Sequence, residues 1–225
     1  ETMAPNFPID VNKPVGKFYS KFGQHLHSVG YKVDDLAGLA DRLLSKGIYI
    51  GAPGGGKIDK LDDETVYFYP SPRDTAGLMV ELCKIDMRND PKDQDTYTEL
   101  MRLYEQHPMT FDRFSYVTLG VKDLDSAVAT YVDIMQAVPI QDGIDDDLQC
   151  KYMTLQLGDC LLQLAQPLEM DSDLGRHVEK WGNCIYSLRW KVLDLDSAEA
   201  WLNKQGVRTT RPRANLIACN VEDTL

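Results

Sequence analysis

Four histidines, five cysteines and one carboxylate set in an apolar stretch are the residues of this chain with the most chemical potential. A histidine offers either a metal-ligating nitrogen or a proton carrier near neutral pH. His27 is a candidate for such a role. His25 shares its strand parity and is expected to face solvent or an interface, while His107 and His177 fall in linker and helix contexts and are expected at the surface. Cys83, Cys150, Cys160, Cys184 and Cys219 are odd in number and far apart, without a C-x-x-C pair. They read as buried reduced thiols in a reducing compartment. Gly54-Gly55-Gly56-Lys57 invites comparison with a phosphate loop, but it lacks the G-x-x-x-x-G-K-[ST] spacing and a following helix, so a glycine-rich loop is expected. Arg73-Asp74-Thr75 reads first as a capped turn and second as a contact for an anionic substrate. Tyr67, Tyr69, Tyr186 and Trp190 alternate in strand-like segments, where they suit either an aromatic-lined pocket or a core.

The elements that must position these residues come from an internal repeat, which decides architecture before local propensity does. Pro8 to Gly47 aligns without a gap on Pro167 to Gly206, at an offset of 159. Gly16, Lys21, Gly23, Ser28, Lys32, Val33, Asp35, Leu36, Leu43 and Gly47 meet identical residues there, and the aromatic swaps Phe22 with Trp181 and Tyr31 with Trp190 stay in register. A shorter repeat links Val121–Ala127 with Val192–Ala198 at an offset of 71. One unit therefore recurs at least three times.

Each unit opens with a strand of β-branched, aromatic and apolar residues, predicted over 26–33, 114–121 and 185–192. An Asp-Leu pair then starts a helix, where a carboxylate can accept orphan backbone N–H groups. The helices are predicted to run to about Ser45, Met135 and Lys204, and Gly47 and Gly206 stop two of them. Further strands are predicted at 65–69 and 78–83, and at 152–157 and 160–165, the last two joined by a Gly158-Asp159 hairpin turn. Residues 51–64 read as a loop. Asn89-Asp90-Pro91-Lys92-Asp93 reads as a polar turn, followed by an amphipathic linker helix over 95–106.

Composition narrows the partners. The chain has 225 residues, 43% hydrophobic, with a formal net charge of -11. Such an acidic surface repels phosphate backbones and anionic bilayers, so neither nucleic acid nor membrane is expected as a partner. There is no apolar run of bilayer-spanning length and no signal-peptide pattern, and a cytoplasmic location is expected.

The V-x-D-L strand ends, the glycine-stopped helices and the apolar-Glu-apolar strand Leu78-Met-Val-Glu-Leu82 together resemble a module of the vicinal oxygen chelate superfamily, which includes glyoxalases, bleomycin-resistance proteins and ring-cleaving dioxygenases. Phe18-x-x-Lys-Phe-Gly to His27-Ser28-Val29 and Pro72 to Glu81 are similar to its second modules. The resemblance implies an α+β fold of repeated βαβββ modules paired into half-open barrels. It implies an N-terminal domain over 1–83, a linker with a helix over 84–110 and a C-terminal domain over 111–225. Glu1-Thr-Met-Ala-Pro5 is similar to Gln163–Pro167, and Glu222–Leu225 to Arg73–Ala76, so the first module and the final strand of the fourth are expected to lie outside this sequence.

By resemblance, a divalent Fe, Zn, Mn, Ni or Co ion would sit between paired modules, held by Glu1, His27 and Glu81 and acting as a Lewis acid on vicinal oxygens. Glu81 and His27 are the implied catalytic residues, with Ser28, Arg73, Tyr116 and Tyr186 around the substrate. The ligand position itself falls on Ser28, with His27 one residue earlier, which in a regular strand would turn its ring to the other side. Tyr116, Gln163 and Ser187 hold the equivalent positions of the second pair and are not typical metal ligands. That pair is expected to be a structural partner or a ligand pocket. The implied activity is a metal-dependent lyase, isomerase or ring-cleaving dioxygenase acting on a small oxygenated, aromatic-tolerant substrate, in a chain that could form a homodimer. The alternative is a metal-free small-molecule binding protein of the bleomycin-resistance type.

Overall fold

Alternating strands, interrupted by one amphipathic helix per module, build two mixed sheets in a computed structural model that describes residues 8–85, 92 and 94–224. In the first module β1 (Ser28–Val33) leads to α2 (Leu36–Ser45), then β2 (Ile50–Gly51), β3 (Lys57–Ile58), β4 (Tyr67–Pro70) and β5 (Met79–Lys84). Helix α1 (Pro14–Phe22) precedes them. After α3 (Tyr97–Glu105) a second module follows: β6 (Phe111–Gly120), α4 (Leu124–Met135), β7 (Val138–Asp145), β8 (Cys150–Leu157) and β9 (Cys160–Pro167). Helix α5 (Asp173–Trp181) introduces β10 (Cys184–Val192), α6 (Leu195–Lys204), β11 (Thr209–Arg213) and β12 (Leu216–Cys219).

Strand order shows that the modules are copies. The first sheet runs β1-β5-β4-β2-β3 and the second β10-β6-β9-β8-β7, so β6-β9-β8-β7 repeats β1-β5-β4-β2 element for element. In both, the first strand of the module pairs parallel with its last, and the inner strands are antiparallel. This is an α+β architecture of βαβββ-like modules, consistent with a vicinal oxygen chelate fold.

Local chemistry explains the boundaries. Asp35, Asp123 and Asp194 each accept the backbone N–H three residues on, at 2.8, 3.0 and 3.0 Å, satisfying a donor that the helix start leaves open. Gly47 and Gly206 follow the helices with φ of 76° and 85°, a left-handed conformation that costs glycine little. The amphipathic faces then bury Leu36, Ala40 and Leu43 of α2 and Ala127, Tyr131 and Ile134 of α4 beneath Val80 and Leu82 of β5 and Leu155, Leu162 and Leu164 of β8 and β9. Each buried Leu, Ile or Val among them contributes about 1.5–3 kcal/mol through removal from water.

The chain divides into two compact units, Glu1–Met87 with Tyr116–Leu188, and Arg88–Ser115 with Arg189–Leu225. Several expectations change. The first strand starts at Ser28, not 26, and residues 51–64 contain β3, which forms a small hairpin with β2. Helix α1 and strands β7, β11 and β12 add to the predicted set, and the helix expected around His177 takes the bounds of α5. Of the polar turn at 89–93, all but Lys92 lies outside the described residues. Among the described residues no helix is long and apolar enough to cross a membrane.

Candidate functional site

The parallel pairing of β1 with β5 sets Ser28 against Met79 and Gly30 against Glu81, so Ser28 and Glu81 share a sheet face. Antiparallel pairing sets Tyr67 against Cys83, which puts Tyr67, Tyr69, Glu81 and Cys83 on that same face. Tyr69 Oη donates to Glu81 Oε2 at 2.5 Å, and Cys83 Sγ donates to Oε1 at 3.4 Å. Tyr67 meets Tyr69 edge-on at 5.8 Å. Burial, with the Glu81 charge adding to it, pushes the Cys83 thiol up to about 12, and the same two causes raise the Tyr69 phenol. Both groups therefore stay protonated and able to donate to the carboxylate.

His27 lies one residue before β1, so its ring is freed from the alternation of a regular strand. Its Nδ1 is 3.0 Å from Ser28 Oγ, and the edge of its ring contact with Phe18 measures 4.6 Å between centroids. Nε2 is buried and has no hydrogen-bond partner among the described residues. Burial lowers the imidazole pKa, while the Glu81 carboxylate acts in the opposite direction. The ring is neutral at physiological pH. With Nδ1–H donated to Ser28, Nε2 carries a lone pair, which is the form a divalent ion takes up.

The other predicted residues fall in separate surroundings. Glu1 lies outside the described residues. Arg73 is exposed in the turn before β5, where its backbone N–H approaches Ser71 Oγ. Tyr116 is half-buried on β6. Tyr186 packs on a small core of Cys150, Ala165, Leu174 and Val178, and burial raises its phenol pKa. Gln163 is buried on β9 and accepts the Thr118 hydroxyl at 2.9 Å, a closed polar pair.

Three expectations about histidine and cysteine are overturned. His177 is not a surface residue: it is half-buried on α5, with Nε2 3.1 Å from Cys184 Sγ. His25 lies beside it with its ring tilted by 33°, ring centroids 5.6 Å apart. His107 is half-buried between Phe111 and Trp201, at 5.5 and 5.6 Å. Among the cysteines, Cys83, Cys150 and Cys184 are buried as expected, but Cys160 is half-buried and Cys219 exposed; all five are free thiols. His25, His177 and Cys184 place their ligand atoms within 4.8 Å of one another, a grouping able to hold a metal ion. The signal for it was present in the repeat, whose offset sets His25 opposite Cys184, but the residues are too distant in sequence for any motif to join them.

No family model and no curated protein matches this chain. Among solved structures it is similar to methylmalonyl-CoA epimerase from Mycobacterium tuberculosis, with 27% identity over 51% of this chain and 83% of that one, at a TM-score of 0.47. A Streptomyces coelicolor methylmalonyl-CoA epimerase in complex with 2-nitronate-propionyl-CoA matches with 20% identity over 51% of this chain and 91% of that one, also at 0.47. A hypothetical protein from Bacillus halodurans C-125 matches with 15% identity over 49% and 86%, at 0.46. These matches cover about half of this chain.

Proposed function

We propose that this chain is a metal-dependent enzyme of the vicinal oxygen chelate type, in which His27, Glu81 and Glu1 hold a divalent ion and act on a small oxygenated substrate. The observation that carries the proposal is the buried, unpartnered Nε2 of a neutral imidazole whose titration senses the Glu81 charge. A buried polar nitrogen without a partner costs about 1–3 kcal/mol, and an ion at that position removes the deficit. Fe, Zn, Mn, Ni and Co all suit an imidazole-carboxylate donor set. When bound, the ion supplies a Lewis acid for vicinal substrate oxygens.

The chain's own residues supply orientation and proton control. Ser28 orients the His27 ring through Nδ1. Tyr69 and Cys83 hold the Glu81 carboxylate from two sides, limiting its rotation. Ser28, beside His27, is assigned to substrate binding; Arg73, Tyr116 and Tyr186, which the resemblance also implied, lie in separate surroundings and are left out of this assignment. The division into 1–83, 84–110 and 111–225 belongs to the same reading and is supported by the matching strand orders of the two sheets.

The test is metal content in a Cys184→Ser background, so that the cysteine-containing group does not contribute. Glu81→Ala and His27→Ala are each expected to lower bound metal at least tenfold. Unchanged occupancy in Glu81→Ala overturns the proposal. A ligand that then protects against unfolding equally with and without chelator would establish a metal-free binding protein instead.

A further inference from the structure

We propose that His25, His177 and Cys184 form a second metal site, specific for a thiophilic ion such as Zn2+, which clamps the two long repeats together. At the offset of 159, His25 and Cys184 are the same position of the two copies, and His177 corresponds to Phe18. The C-terminal ends of helices α1 and α5 come together at two equivalent aromatic rings. Phe22 packs on its own equivalent Trp181 at 5.5 Å, and Lys21 and Lys180 lie over those rings at 4.6 and 4.2 Å. His25 and Cys184 therefore approach each other where equivalent positions converge, and His177 adds a third donor from one side only.

The donor chemistry fits. Imidazole nitrogen and thiolate sulfur are both zinc donors, and three protein ligands leave a fourth tetrahedral position open. Zn–N bonds of ~2.0–2.1 Å and a Zn–S bond of ~2.3 Å in a tetrahedron give N···N and S···N edges of roughly 3.4 and 3.6 Å. The contact of 3.1 Å between His177 Nε2 and Cys184 Sγ, and the 4.8 Å limit on all pairs, bracket those edges. Rotamer adjustments of about 1 Å complete the geometry. His25 Nδ1 lies 3.1 Å from the Leu26 carbonyl oxygen, so it carries the proton and leaves Nε2 as the ligand, the backbone anchoring usual behind metal-bound imidazoles.

The proton balance is simple. Burial holds the Cys184 thiol protonated, at about 11, and the His177 imidazole neutral, at about 4. Ion binding breaks the S–H bond, forms the metal–sulfur bond and releases one proton to solvent, with no proton leaving either imidazole. No oxidant or reductant enters.

Cobalt distinguishes this site from the one at Glu81, because only a thiolate gives a sulfur-to-cobalt charge-transfer band in the near ultraviolet. Titration of the whole chain with Co2+ is expected to produce that band together with tetrahedral d–d absorption, and Zn2+ is expected to displace it. Cys184→Ser should abolish it. His177→Phe, which copies the residue that the first repeat carries at Phe18, should fold normally and bind Co2+ at least tenfold more weakly. Glu81→Ala should leave the band unchanged, so failure of the Glu81 proposal would not imitate failure here. Absence of the charge-transfer band in the wild-type chain, or equal affinity in His177→Phe, overturns the inference.

Discussion

Phe22 and Trp181 hold one position in two repeats of the same sequence, and their rings meet at 5.5 Å. The surrounding contacts are duplicated as well. Phe18 meets His27 edge-on at 4.6 Å and 83°, and the equivalent His177 meets Tyr186 at 5.1 Å and 84°. The repeat is thus preserved in geometry even where the residues have changed chemistry. A double-mutant cycle on Phe22→Ala and Trp181→Ala, followed by urea unfolding, is expected to give a coupling energy of about 0.5–1.5 kcal/mol. Strict additivity would mean that the two rings do not support each other.

Two glycines make a second duplicated contact. A Cβ on Gly16 would stand 2.5 Å from Val11 Cα, and one on Gly175 would stand 2.6 Å from Met170 Cα; Val11 and Met170 are again equivalent. The obstruction is backbone in both cases, so it cannot move aside as a flexible side chain would. Gly16→Ala and Gly175→Ala are each expected to destabilise by about 1–3 kcal/mol, against the usual gain from alanine in a helix. Thermal melts of the two variants check this, and a stabilised variant would show that the segment before the helix yields.

The parts of the fold legible in the sequence were those with a short-range physical signature. Asp35, Asp123 and Asp194 announced helix starts, Gly47 and Gly206 announced stops, and Gly158-Asp159 marked a hairpin whose register brings Leu157 against Cys160. Helix α1 escaped notice because Gly16 looks like a breaker, whereas it is a close-packing position. Strand β7 escaped because it is a sheet edge whose residues are mostly exposed, leaving no burial alternation to read. Of the candidate site, Glu81 was legible from its apolar neighbours. The grouping of His25 with His177 and Cys184 was not, because it depends on how two copies of the repeat face each other.

A buried hydrogen bond joins the two modules of the larger unit. Tyr131, on α4, is 1% exposed and donates from Oη to the Thr75 carbonyl oxygen at 2.8 Å. The acceptor lies in the turn that precedes the Glu81 strand, so this bond bears on the candidate site through the position of β5. Tyr131→Phe keeps the ring and removes one of two donors to that carbonyl, which also accepts the Leu78 backbone N–H at 3.1 Å, so the expected cost is that of a single hydrogen bond, about 0.5–1.5 kcal/mol. Chemical denaturation measures it, and the same variant should leave the far-ultraviolet spectrum unchanged. A loss below ~0.5 kcal/mol would mean that the Leu78 N–H satisfies the carbonyl by itself.

His177 gives the metal-free protein a pH dependence with a definite sign. Burial first, and then the neighbouring His25, hold its folded pKa down at about 4, against about 6.5 for an imidazole in water. Between these values the unfolded chain binds the proton and the folded chain does not, so stability rises with pH across that window. The contribution is complete above about pH 6.5 and is lost as pH falls toward 4. The full shift would correspond to about 3 kcal/mol, but the half-buried ring is partly screened by solvent, which reduces the expected loss to about 1–2 kcal/mol. Burial lowers the His27 pKa too, and it contributes with the same sign. Urea unfolding in chelator from pH 7 to pH 4.5 should therefore show a smaller loss in His177→Phe than in the wild type. An identical pH profile in the two proteins would show that His177 takes up its proton in the folded state as readily as in the unfolded chain.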